Sequence, residues 1–112
     1  MKIALTSTGR NLEAPLDARF GRCAQFLIYD TDNKDVTVLD NKNAGAAQGA
    51  GLKAAETVVK AGASVVITGA CGPKAFVALK RYNVAIFAAD AMTGKAALEA
   101  YQAGTLSEIA SA

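Results

Sequence analysis

The chain has no histidine among its 112 residues. Any mechanism that needs an imidazole base, a Cys–His pair or a histidine-bound metal is therefore excluded. Cysteine is nearly absent too: Cys23 and Cys71 lie far apart and form no CxxC pair. Two thiols are too few for a four-cysteine zinc or iron–sulfur site within one chain, and structural disulfides are rare in the cytosol. No apolar run approaches the ~20 residues of a membrane span. The opening Met1-Lys2-Ile3-Ala4-Leu5 is too short for a signal segment and reads as a first strand. Lysine and arginine form no run, and the net charge is only +2, which speaks against a nucleic-acid surface. The expectation is a soluble, cytoplasmic protein with neither nucleic acid nor membrane as a partner.

What is present describes a globular chain. Hydrophobic residues make up 52% and charged residues 20%, enough for one core, so residues 1–112 read as a single domain. Ser64 to Leu79, SVVITGACGPKAFVAL, is the organising stretch. Val65, Val66 and Ile67 suit a strand buried on both faces. A turn of small residues from Thr68 to Gly72 follows, and Pro73 is well placed to open a helix, where its missing N–H has no helical partner. The loop exposes backbone amides at a helix N-terminus, a setting that favours anions. An ordinary βα connection would look the same.

Along the chain, Lys2–Thr6 reads as the first strand. The loop Ser7–Phe20 carries Arg10 and Arg19, and Pro15 argues against a helix through it. A loop of this length is often functional; the alternative is a surface excursion held by Leu12, Leu16 and Phe20. Phe26–Tyr29 and Val36–Leu39 form a hairpin around the turn Asp30–Asp35. A second small-residue loop, Asn41–Gly51, opens a helix from about Gln48 to Ala61, with Leu52, Ala55, Val58 and Val59 as its apolar stripe. Gly62 suits the helix end, as does Asn83 after the next helix. Val84–Phe87 is the last strand. Thr93 caps a third helix through Tyr101, and Thr105–Glu108 has the pattern of a short terminal turn.

The order β-β-β-α-β-α-β-α predicts a five-stranded mixed sheet with right-handed crossovers. If strands one and three run parallel, one sheet edge gathers Ser7–Arg22, Cys23, Asn41–Gly51, Gly69–Pro73 and Ala88–Thr93. Open α/β sheets bind ligands at such an edge, and three helix N-termini would point at it. It suits an anion. The candidate binding residues are Thr8, Arg10, Arg19, Phe20, Gly21 and Arg22 from the first loop, and Asn43, Gly45, Gln48 and Gly49 from the second. Gly69, Ala70, Gly72, Pro73 and Lys74 come from the third. Cys23 and Cys71 are the candidate metal ligands. Arg22 beside Cys23, and the helix start after Cys71, predict depressed thiol pKa values.

The chain resembles the dinitrogenase iron–molybdenum cofactor biosynthesis family over nearly its whole length. The resemblance rests on Phe20-Gly21-Arg22-Cys23 followed by Phe26-Leu27-Ile28-Tyr29-Asp30, the glycine-rich loop at 45–51, and Val66-Ile67-Thr68-Gly69 with Gly72-Pro73-Lys74-Ala75-Phe76. The late Ala97-Leu98-Glu99-Ala100-Tyr101 helix completes it. It implies a three-layer, ribonuclease-H-like α/β fold and a role in nitrogenase cofactor biosynthesis or a related one. The small stand-alone branch includes the orange proteins, which hold a molybdenum–copper sulfide cluster non-covalently. Many relatives have Gly-His-Gly where this chain has Ala47-Gln48-Gly49, so histidine ligation there is lost.

Two functional readings remain open. In the first the chain is a non-enzymatic carrier of an anionic metal–sulfide cluster, either molybdenum–copper sulfide or an iron–molybdenum cofactor precursor. Arginines and Lys74 would supply charge, amides at Gly49–Leu52 and Gly72–Lys74 hydrogen bonds, and Cys23 or Cys71 a soft thiolate for copper or iron. In the second it is a regulatory or interaction module binding a phosphate-bearing metabolite or a protein partner. An enzyme is not expected. Two-metal nucleases need clustered carboxylates, the first strand has none, and Asp30, Asp32 and Asp35 read as turn formers.

Overall fold

The computed structural model describes residues 1–110. The strands are β1 (Lys2–Ser7), β2 (Gln25–Asp30), β3 (Val36–Asp40), β4 (Ala63–Thr68), β5 (Ala85–Ala88) and β6 (Ser107–Glu108). The helices are α1 (Ala50–Lys60), α2 (Pro73–Arg81) and α3 (Gly94–Gln102). The strands form one sheet in the order β3-β2-β1-β4-β5-β6. β1, β4 and β5 are parallel, whereas β2 runs antiparallel to both β1 and β3. β3 thus shares the direction of β1, and the strand-end edge forms as the hairpin requires.

The sheet has six strands rather than the expected five. Thr105–Glu108 does not close as a helical turn; Ser107 and Glu108 pair antiparallel with Ala88 and Phe87. The physical reason is the open side of β5, whose backbone groups need partners. The tail supplies them, and the Ile109 amide adds a bond of 2.7 Å to the Ile86 carbonyl.

Alternation along the central strands builds a core on each face. Ala4, Phe26, Ile28, Val66 and Ile86 pack beneath Ala54, Ala55 and Val58 of α1 and Ala75 and Leu79 of α2. Ile3, Leu5, Leu27, Tyr29, Val65 and Ile67 face Ala97 and Leu98 of α3. The helices therefore form two layers around the sheet. β1 and β4 read as continuous apolar runs because both of their faces are covered.

The first loop is a strap across the ends of the parallel strands. The Asp17 amide donates to the Thr6 carbonyl (2.9 Å), Phe20 to Ala70 (3.2 Å) and Leu16 to Met92 (2.8 Å). Thr6 Oγ1 donates to the Asp17 carbonyl at 2.7 Å. Leu16 and Phe20 are buried beneath it. The crossing is close: a Cβ on Gly69 would lie 2.7 Å from Ala18 Cα.

Candidate functional site

The strap divides the strand-end edge. On the α3 side the helix N-terminus is closed. Thr93 Oγ1 accepts from the Ala96 amide at 3.1 Å, while the strap carbonyls of Ala14 and Leu12 accept from Gly94 (3.0 Å) and Lys95 (2.8 Å). The expectation of three anion-seeking N-termini is thus corrected to two: the first-turn amides of α3 already have partners.

α1 and α2 begin without a side-chain cap. Gly49 starts α1 in the left-handed region at φ +76°, and Gly72 starts α2 with extended backbone. The first-turn amides of an uncapped helix lack intrahelical acceptors, so both termini present N–H groups and the positive end of the helix dipole. They open on a shared cleft of about 440 Å³, lined by Gly21, Arg22, Gly49, Ala50, Gly51, Leu52, Gly72, Pro73, Lys74 and Ala75. This wall contains two cations and no carboxylate. Glycines let its parts meet. A Cβ on Gly21 would come within 2.8 Å of the Gly51 backbone, and one on Gly51 would lie 3.3 Å from Ala75 Cβ. At Gly72 an added Cβ would meet nothing within 4 Å, so neither packing nor backbone angle demands glycine there.

Of the residues singled out from sequence, Gly21, Arg22, Gly49, Gly72, Pro73 and Lys74 come together in this cleft. Arg22 also holds the second loop, its Nη1 donating to the carbonyls of Ala44 (2.9 Å) and Ala46. The others lie elsewhere. Thr8 Oγ1 donates to the Pro15 carbonyl within the strap. Arg10 pairs with Asp40 at 2.8 Å and Arg19 with Asp17 at 3.3 Å. Phe20 is 2% exposed and packs on Phe26 with ring centroids 5.9 Å apart, so it is a core residue. Asn43 borders a separate hollow on the outer side of α1 with Lys53, Glu56, Thr57 and Lys60. Gly45 and Gln48 are exposed on the second loop. Gly69 and Ala70 border a hollow of about 260 Å³ on the other side of the strap. Ala75 is a wall residue outside the candidate binding set; counting from Pro73 at the first helical position would have found its amide.

The cysteine expectation is corrected. Cys23 is fully buried, with Sγ donating to the Phe20 carbonyl at 3.3 Å. Burial, and then the charge of Asp17, push its pKa from 9.0 up to about 12. Burial likewise pushes Cys71 up to about 11; it packs against the core beneath α1 and α2. Desolvation of the thiolate is the largest cause at both positions. Neither thiol lines the cleft, and among the described residues no three Cys, Asp or Glu side chains cluster to hold a metal ion.

The chain matches a known family. The family model for the dinitrogenase iron–molybdenum cofactor covers residues 1–104, and the chain belongs to that family. The apo orange protein of Desulfovibrio gigas is a structural neighbour at 33% identity and TM-score 0.94, with 98% of this chain and 93% of that one aligned. A Thermotoga protein assigned to the DUF35 family aligns at 33% identity and TM-score 0.86, over 96% and 91% of the two chains. An uncharacterized protein of Methanocaldococcus jannaschii is 28% identical over 93 residues, 80% of this chain and 75% of that protein. No helix among the described residues is long and apolar enough to cross a membrane.

Proposed function

We propose that this chain is a non-catalytic carrier of an anionic metal–sulfide cluster, seated between the N-termini of α1 and α2. The observation that carries the reading is the convergence of two uncapped helix starts, Arg22 and Lys74 on one cleft without a carboxylate. Sulfide surfaces of such a cluster accept hydrogen bonds from amides, and its negative charge suits helix N-termini and cations. The family membership and the likeness to an orange protein support cofactor-related binding. Molybdenum–copper sulfide and an iron–molybdenum cofactor precursor both fit this chemistry. The hold is non-covalent in this reading, because neither thiol lines the cleft, Cys23 is buried and Cys71 half-buried, and burial raises both pKa values. What the wall supplies is charge and amide donors, the groups a carrier needs.

Anaerobic reconstitution tests it. Apo protein is mixed with tetrathiomolybdate, with and without copper(I), desalted, and assayed for metal and absorption. Stoichiometric molybdenum with sulfide-to-metal charge-transfer bands is expected, with Arg22→Gln and Lys74→Gln each weakening retention about tenfold. Colourless protein without molybdenum overturns the reading for this cluster type. Displacement by millimolar inorganic phosphate would instead favour a phosphate-bearing metabolite as the natural ligand.

A further inference from the structure

Two apolar side chains depart from the burial pattern of the helices that frame the cleft. Leu52, expected in the buried stripe of α1, is 43% exposed, and Val77 of α2 is 55% exposed. Singly exposed aliphatic residues are ordinary, but these two line one groove of about 380 Å³ with Pro73, Lys74, Ala78 and Arg81. The groove shares Leu52, Pro73 and Lys74 with the cleft wall, so the two hollows adjoin. Its rim carries charge of one sign. Lys74 and Arg81 are the charged residues that line it, and α2 contains no acidic residue.

The charge selects the occupant. A second copy seated groove on groove would bring Lys74 and Arg81 towards their own counterparts, a like-charge arrangement that opposes association. A lipid surface takes up a convex, continuous apolar helix face, whereas this surface is concave and offers two aliphatic side chains. We propose that the groove docks a partner protein through an amphipathic segment whose apolar side chain enters between Leu52 and Val77 while flanking carboxylates meet Lys74 and Arg81. The docking itself needs only the groove. Its purpose rests on the carrier reading: a partner seated here lies at the mouth of the cleft, placed to deliver or receive the cargo.

The test uses a labelled helical peptide of about four turns with leucines at i, i+4 and i+7 and glutamates on the flanks. It is titrated into the apo protein and followed by anisotropy and amide chemical shifts. A counterpart with lysines for the glutamates, and phosphatidylserine vesicles, serve as controls. Saturable binding of the acidic peptide is expected, with shifts centred on Leu52 and Val77. Val77→Asp and Arg81→Glu, both at exposed positions, should each weaken it about tenfold while tetrathiomolybdate retention is unchanged. Absent binding, equal binding of the lysine peptide, indifference to both substitutions, or preference for the vesicles overturns the proposal. Molybdenum retention without peptide binding overturns docking alone; peptide binding without molybdenum retention leaves docking standing and overturns the carrier reading for this cluster type.

Discussion

The N-termini of α2 and α3 begin alike in backbone and end in opposite states. Each follows a parallel strand and a short loop, and each starts from extended backbone, with φ −68° at Gly72 and −71° at Thr93. At α3 a threonine side chain and two strap carbonyls take up the first-turn amides. At α2 the cap residue is glycine, the next residue is proline, and the space in front is a cleft. The fold thus spends one helix start on stability and leaves another open. A free helix start in a stable protein forgoes capping energy of about 1 kcal/mol, and in our reading that opening is what the ligand uses.

The sharpest way to break this comparison is to give α2 the cap that α3 has. Gly72→Asp fits its backbone angles and meets no atom within 4 Å. The new carboxylate would accept from the amides of Lys74 and Ala75 and place a negative charge in the cleft. Molybdenum retention should fall about a hundredfold, equivalent to roughly 2.7 kcal/mol, while thermal stability holds or rises by a few tenths of a kcal/mol. Undiminished retention would show that the ligand does not use this helix start. Gly21→Ala probes the floor beneath it. Its Cβ would press on the Gly51 backbone, which cannot swing aside as a side chain can. A loss of about 2 kcal/mol in urea unfolding is expected, together with weaker retention because the start of α1 must shift.

Much of this arrangement was legible before the structure. The β-branched run at 65–67, the proline at 73 and the hairpin turn at 30–35 are local signals, and local signals place elements. Gly62 and Asn83 adopt the left-handed angles expected at helix ends, with φ of 87° and 60°. What the sequence hid is long-range. Nothing near Thr93 announces that Ala14 and Leu12 will supply carbonyls to α3, and nothing near Ser107 announces that β5 needs an outer partner. Arg10, Arg19 and Arg22 looked equivalent as loop cations. Their neighbours in space, Asp40 and Asp17 for the first two, leave only Arg22 on the cleft. Leu52 fitted an apolar helical stripe, yet the neighbouring helix leaves it partly uncovered.

The core beneath α1 and α2 makes a third prediction, through Cys23. Its folded pKa is raised, so its contribution to stability is complete below the ordinary value of 9.0 and is lost as pH rises through 9 towards about 12. Between pH 7 and pH 10.5 the wild-type chain should lose roughly 2 kcal/mol more than Cys23→Ala, a difference that cancels the titration of lysines and tyrosines. Paired urea curves at the two pH values measure it. In the folded protein at pH 8, thiol labelling of Cys23 should be limited by opening of the fold. Labelling within seconds would show the thiol to be accessible and restore it as a ligand candidate.

The smallest expected effect is the mirror image of the first. Thr93→Ala removes the side-chain cap of α3, whose Oγ1 accepts from the Ala96 amide. The loss should be about 1 kcal/mol, and not more, because the strap carbonyls of Ala14 and Leu12 still satisfy Gly94 and Lys95. Molybdenum retention should stay at the wild-type level, since the freed amide lies at a terminus that the strap still covers. Stability and ligand retention would then respond in opposite ways at the two helix starts: α3 loses stability and keeps ligand, α2 keeps stability and loses ligand. If Thr93→Ala weakened retention as strongly as Gly72→Asp, the strap would not be separating the two halves, and the ligand would have to span the whole strand-end edge.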